Sequence, residues 1–164
     1  MVDQRREGLP PKTEWRTPLE VFHWIEKIYS IKFDLDPATS EDNPLGTRFF
    51  FTPRTDGLAH SWRGRRVFVN PPYGREISRW IEKAVKEVLD NPDDKDLEIV
   101  MLLPSATDTK WFKRLWDYAD IIFLTGRIQF VGAHGSGRGG YVLAYMSPLI
   151  PNDNPCPMVL DLLG

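Results

Sequence analysis

Residues 97–103 read Leu-Glu-Ile-Val-Met-Leu-Leu, an apolar stretch broken by a single acid. A strand with one face in water alternates apolar and polar side chains, and this one does not. It is expected to be buried on both faces, which requires a sheet with helices packed above and below it. The stretch is also far shorter than the ~20 residues that span a bilayer, as is the other apolar run at 121–124. A membrane partner is therefore not expected.

The rest of the chain alternates helix and strand signals around this run. Thr17-Pro18-Leu19-Glu20 has the form of a capping box with proline at the first helical position. Val21, Phe22, Trp24, Ile25, Ile28 and Tyr29 then make one apolar helical face. Short strands are expected at 33–35, ending in Asp36-Pro37, at 48–51, and at 65–69, running into Asn70-Pro71-Pro72-Tyr73. Residues 78–89 read as a helix with Trp80, Ile81, Ala84, Val85, Val88 and Leu89 inward. A polar turn at 91–96 leads into the apolar run. Asp108 or Thr109 caps a further helix carrying Trp111, Phe112, Leu115 and Trp116. Trp24, Trp80, Trp111 and Trp116 are all assigned to the core.

Strands at 121–124 and 141–146 are separated by the glycine-rich segment 132–140, which lacks a helical pattern. They are expected to pair as an antiparallel hairpin. The tail contains Pro148, Pro151, Pro155 and Pro157, so no regular element is expected there, although Met158, Val159, Leu160, Leu162 and Leu163 offer apolar contacts. The fold class is α/β, a mostly parallel sheet with a C-terminal antiparallel hairpin and helices on both faces. One domain is expected to fill residues 1–164, with 1–13 and 148–164 as flanking segments. In such sheets ligands bind beyond the carboxyl ends of the strands. Asp36, Asn70 and Pro104 all fall there.

Composition narrows the partners. The chain has one cysteine, Cys156, which excludes an intramolecular disulfide and a cysteine-rich zinc site. No metal site is expected. With no secretory pattern at the start, a reducing, cytoplasmic setting is expected. The 21 Lys and Arg against 23 Asp and Glu give a net charge of −2, without the overall basicity of a typical nucleic-acid-binding domain. Any contact with DNA or RNA therefore requires a local basic face.

The sharpest chemical signal is Val69-Asn70-Pro71-Pro72-Tyr73-Gly74, directly after a strand. The Asn70 amide oxygen and the Pro71 carbonyl can accept hydrogen bonds from one planar amine. Two acceptors draw that nitrogen toward tetrahedral geometry and free its lone pair for attack on an electrophilic methyl. Prolines lack N–H donors and fix φ, so they present a rigid carbonyl. The Tyr73 ring offers a stacking surface for a base. The plainer alternative is a strand-ending Pro-Pro turn with a buried tyrosine.

Taken with other motifs, this segment resembles the short phage and prophage type of DNA N6-adenine methyltransferase, which depends on S-adenosylmethionine. The motifs are Glu14-Trp15-x-Thr17-Pro18, Phe33-Asp34-Leu35-Asp36-Pro37-Ala38, Asp56-Gly57-Leu58-x-x-x-Trp62, Asn70-Pro71-Pro72-Tyr73-Gly74 and the segment 101–112. The resemblance spans roughly residues 14–146 and implies a Rossmann-like fold with S-adenosyl-L-methionine as cofactor. It implies that Asn70, Pro71, Pro72 and Tyr73 are catalytic. By the same resemblance Thr17, Pro18, Asp36, Pro37, Ala38, Asp56, Leu58 and Asn70 contact the cofactor. Asp36 would face its methionine moiety and Asp56 would read its adenine amino group. Asp-Pro-Ala is followed here by Thr39-Ser40-Glu41-Asp42-Asn43 rather than by a Gly-x-Gly turn, a feature shared by the short phage type.

Simpler roles stand beside several of these. Thr17 is also a helix cap, Asp36 a turn residue before proline, Asp56-Gly57 a common turn dipeptide, and Asp108 a cap. His23 and His60 are structural or exposed. The glycine-rich segment is followed by a strand rather than a helix, so it reads as a loop on the DNA side and not as a phosphate cradle. Arg63, Arg65 and Arg66 before the third strand, Arg75 and Arg79 after it, and Arg127 and Arg138 around the glycine-rich loop are the candidate DNA contacts, and the first five are expected to share a face with Asn70. The substrate expected is double-stranded DNA with one adenine flipped out. Methylation of an RNA or protein amine, or a silent nucleic-acid-binding protein of this fold, are the alternatives.

Overall fold

The computed structural model describes residues 15–133, 139–149 and 158–162. The expected strand–helix alternation is present. In chain order the elements are α1 (Leu19–Tyr29), β1 (Leu35–Asp36), β2 (Phe49–Phe50), β3 (Arg66–Val69), α2 (Ile77–Asp90), β4 (Glu98–Pro104), α3 (Lys110–Tyr118), β5 (Asp120–Thr125), β6 (Tyr141–Met146) and β7 (Met158–Asp161). They form one sheet in the order β2-β1-β3-β4-β6-β5-β7. β1 runs parallel to β2 and β3, β3 to β4, and β5 to β7, whereas β6 lies antiparallel to both β4 and β5. The hairpin expected from the last strong strand signals is therefore real, with β6 folded back between β4 and β5.

β4 behaves as its nearly unbroken apolar run requires. Ile99, Met101 and Leu103 face a core shared with Trp62, Trp80, Ile81, Val85, Phe112 and Leu115. Val100 and Leu102 face the opposite core with Val21, Phe22, Ile25, Phe68 and Leu143. α2 and α3 thus cover one face and α1 the other. Among the described residues no helix is long and apolar enough to cross a membrane.

Several expectations at the helices are corrected. Thr17 does not cap α1: the cap position is Pro18, which makes no side-chain cap bond. Helix α3 is capped as expected by Thr109, whose hydroxyl accepts the Phe112 N–H at 3.2 Å. Ile28, Leu89 and Trp116 are exposed rather than inward, and Trp24 and Trp111 are half-buried. Near the end of α2 the inward position goes instead to Glu87, whose carboxylate accepts the Trp62 N–H at 3.1 Å and pairs with Lys83. A buried carboxylate persists when donors satisfy it. Trp62, not assigned to the core from its spacing, is fully buried.

The tail also differs. Residues 158–161 add β7 to the sheet edge, in register with Ile122–Thr125, and Leu160 and Leu162 pack on the α1-side core. An edge strand needs a ladder on one side only, so the prolines before it do not prevent pairing. Residues 134–138, including His134 and Arg138, and Cys156 lie outside the described residues.

One loop ties the two halves of the carboxyl edge together. The Gly57 backbone lies against Pro37 so closely that a Cβ there would stand 2.0 Å from the Pro37 carbonyl oxygen. The Trp62 indole N–H donates to the Gly57 carbonyl at 3.0 Å and holds the loop in place. The Asp56-Gly57-Leu58-x-x-x-Trp62 pattern is thus a close-packed clasp as well as a turn. Gly57→Ala is expected to force Pro37 and the loop apart, destabilising the protein by about 1–3 kcal/mol. Thermal unfolding should show a fall in Tm of several degrees, and an unchanged Tm would contradict the clasp.

Candidate active site

The carboxyl ends of β1 and β3 open onto a cavity of about 640 Å³, within the ~300–1,000 Å³ range of small-molecule sites. Thr17, Asp36, Pro37, Ala38, Asp56, Leu58, Asn70 and Pro72 all line it, although they come from four separated parts of the chain. Pro18, Pro71 and Tyr73 do not. Pro18 sits at the start of α1, where its carbonyl accepts the Phe22 N–H at 3.0 Å. Pro71 is buried behind Asn70.

Asn70 has a defined orientation. Its Nδ2 donates to the Trp15 carbonyl at 3.0 Å and to the Thr17 hydroxyl at 3.1 Å. An amide has two N–H donors and one acceptor oxygen. With both donors engaged, Oδ1 is left as an acceptor, and no described residue donates to it. The Pro71 carbonyl likewise receives no hydrogen bond from the described residues. Asn70, which lines the cavity, and Pro71, next to it in the chain, thus carry two consecutive acceptors at the end of β3.

Tyr73 is anchored more firmly than a free stacking ring. Its hydroxyl donates to the Leu102 carbonyl at 3.3 Å, and its ring meets Phe130 edge-on at 6.4 Å. Burial holds the phenol well above its ordinary pKa, so it remains a neutral donor. The ring stays half-buried, packed between the two cores.

Asp36 is the most perturbed acid of the site. The residue is 5% exposed, and burial pushes its carboxyl up to about 7, against the opposing hydrogen bonds from the Ala38 N–H at 3.1 Å and the Thr39 side chain. Asp56 is exposed, has a left-handed backbone with φ 53°, and accepts the Leu58 N–H at 3.1 Å. Asp and Asn tolerate that conformation because the side chain bonds its own turn. A buried carboxylate, a second acid at a turn, and the apolar Pro37, Ala38 and Leu58 suit a ligand with a cationic amino-acid end and an aromatic base. The residues present fit S-adenosylmethionine.

The basic residues divide. Arg79 lines the cavity and pairs with Glu76 at 2.7 Å. Arg75 and Arg127 are exposed on the same carboxyl edge, after β3 and β5. Arg63, Arg65 and Arg66 do not share that face. They lie before or at the start of β3, and Arg66, the nearest of them in sequence, is about 13 Å from Asn70 at ~3.3 Å per strand residue. Arg66 stands 3.5 Å from Glu98 and 4.0 Å from Asp96, and Arg65 is 4.0 Å from Asp34 and 3.8 Å over the Phe49 ring. The strand between these arginines and Asn70 carries them to the opposite sheet edge, where acids partner two of them. Arg138 lies outside the described residues.

The site also includes contacts that side-chain reasoning could not supply. Trp15 takes part through its backbone carbonyl, and Arg16 joins the loop after β5 through paired backbone bonds with Val131, 3.2 Å and 2.9 Å long. The only sequence signal was the placement of Trp15 in a motif with Thr17 and Pro18. Glu76, a further lining residue, had no signal of its own.

Comparison with known proteins gives the family and the fold. Residues 9–141 match the family model described as DNA N-6-adenine-methyltransferase (Dam). A DNA N-6-adenine-methyltransferase of Haemophilus phage HP1 is 36% identical over 122 residues, covering 73% of this chain and 67% of that protein. One from Escherichia phage T1 is 36% identical over 177 aligned positions, covering 88% of this chain and 71% of its own. Among solved structures, a Listeria monocytogenes protein described as a class I S-adenosylmethionine-dependent methyltransferase superposes with a TM-score of 0.50 at 13% identity, covering 94% of this chain and 68% of that one. That likeness gives the fold as Rossmann-like α/β. The chain belongs to the DNA N-6-adenine-methyltransferase (Dam) family.

Proposed function

We propose that Asn70 and Pro71 receive the exocyclic amine of an adenine flipped out of double-stranded DNA, beside S-adenosylmethionine held in the cavity. Methylation of adenine N6 in DNA, with S-adenosylmethionine as cofactor, follows from family membership and fold. The observation that carries the residue assignment is the locked Asn70 amide, whose donors are spent on Trp15 and Thr17. Its Oδ1 and the Pro71 carbonyl accept the two N–H groups of the target amine, which localises the nitrogen lone pair. When bound, S-adenosylmethionine supplies a methyl group activated by a positively charged sulfur. The lone pair freed by Asn70 and Pro71 would be directed at that methyl group, and the surplus proton on the amine would pass to solvent. Positioning the two reactants supplies much of the rate.

Asp36 holds the cationic methionine end and Asp56 the adenine amino group, with Leu58 and Pro37 as apolar walls. Tyr73, anchored on Leu102, offers its remaining ring surface to the extruded base. Arg75, Arg79 and Arg127 on the carboxyl edge meet the phosphates beside it. Arg63, Arg65 and Arg66 lie on the wrong edge for that role. The setting is the cytoplasm of a bacterial host, where DNA and cofactor are both available.

Two experiments test these roles. Asn70→Ala is expected to lower methyl transfer to plasmid DNA by at least about a hundredfold, while calorimetry shows cofactor affinity changed only a few-fold. Wild-type turnover in that variant would overturn the assignment.

The second concerns Asp36. With a free-protein pKa of about 7, the carboxyl must ionise to pair with a cation. Cofactor affinity is therefore expected to level off above about pH 8 and to fall by about tenfold per unit below 7. For folding the sign is reversed, because the folded state holds this proton more tightly than the unfolded one. Asp36 therefore costs stability as pH rises from its ordinary 3.8 to about 7. Asp36→Asn is expected to raise Tm at pH 8, with the gain vanishing near pH 4, while weakening cofactor binding. A lowered Tm at pH 8 would contradict the burial of this charge.

A further inference from the structure

We infer that Thr17, beyond any contact with the cofactor, is a positioning residue for methyl transfer: its hydroxyl and the Trp15 carbonyl fix the Asn70 amide with Oδ1 toward the target amine. The inference rests on the role of Asn70 given above. An asparagine amide can rotate by half a turn and exchange its oxygen and nitrogen at little steric cost, so its orientation depends on its partners. Two acceptors meet Nδ2 here, at 3.0 Å and 3.1 Å. In the flipped state the amide oxygen would face the Trp15 carbonyl oxygen, and the amine group would occupy the place of the required acceptor.

The local fold supplies both partners. Thr17-Pro18-Leu19-Glu20 has the form of a capping box, yet α1 receives no side-chain cap. The buried Thr17 hydroxyl serves Asn70 instead, 53 residues away in the chain. The Trp15 carbonyl is aimed by a different bond. It shares a planar trans peptide with the Arg16 N–H, and the two groups point in opposite directions. Since Arg16 N–H donates to the Val131 carbonyl at 3.2 Å, the Trp15 carbonyl is directed away from Val131, to Asn70. Residues 15–17 thus form a strap between the loop after β5 and the end of β3.

The test compares Thr17→Val, which keeps the shape and removes the acceptor, with Thr17→Ser, which keeps it. Single-turnover methylation of plasmid DNA and calorimetric titration with S-adenosylmethionine are measured on each purified protein. At saturating S-adenosylmethionine, Thr17→Val is expected to slow single-turnover transfer by about tenfold or more, whatever its effect on cofactor Kd, and Thr17→Ser to restore the rate. If Thr17→Val does not fold, Thr17→Ala takes its place in the same comparison. A wild-type rate in the valine variant at saturating cofactor would overturn the inference, as would a serine variant as slow as the valine one. Wild-type protein that binds S-adenosylmethionine and methylates no DNA would overturn the proposed function too, whereas active wild type with an indifferent valine variant overturns this inference alone.

Discussion

Burial of β4 on both faces is the constraint from which the architecture follows. Its five central residues are fully buried, three turned toward α2 and α3 and two toward α1. Every buried backbone group of such a strand must be paired by neighbours. β3 supplies one ladder in parallel and β6 the other in antiparallel register. Parallel pairing of β1, β3 and β4 then brings the loops after these strands to one edge. Asp36, Asn70 and the loop around Asp56 converge there although they are far apart in sequence.

On that edge a chemically ordinary side chain gains a specific task from its neighbours. An asparagine in water has no preferred amide orientation, and Asn70 acquires one from a carbonyl and a hydroxyl contributed by the residues before α1. Asp36 shows a related effect in its charge. Burial pushes the carboxyl up to about 7, so its ionised form is held at a cost in stability, and under the role proposed for Asp36 a cationic ligand would relieve that isolation.

Much of the fold was legible because periodicity reports burial directly. The nearly unbroken apolar run at 97–103, the amphipathic spacing of α2 and the hairpin signals each led to the element found. Less legible were features decided by a distant partner. Glu87 is inward because the Trp62 N–H and Lys83 meet it, and Leu89 is outward two residues later, where hydrophobicity alone favours the reverse. β7 follows prolines that discourage a strand, yet an edge ladder tolerates them. At the site, the motif residues lining the cavity were recognisable, and Thr17 read both as a cofactor contact and as a helix cap, but its bond to Asn70, 53 residues on, left no local signal. The arginines before and after β3 looked like one cluster in the sequence. The strand β3, which begins at Arg66 and ends just before Asn70, places them on opposite edges, and this accounts for the failure of three to join Asn70. With Arg75, Arg79 and Arg127 remaining on the carboxyl edge, a net charge of −2 is compatible with a local basic rim.

The most direct measurement is single-base mapping of modified nucleotides in DNA from cells expressing the wild-type chain or its Asn70→Ala variant. N6-methyladenine in the first and none above background in the second is the predicted result. DNA carrying no N6-methyladenine from the wild type, or equal amounts from both, would contradict adenine methylation at the Asn70 acceptor.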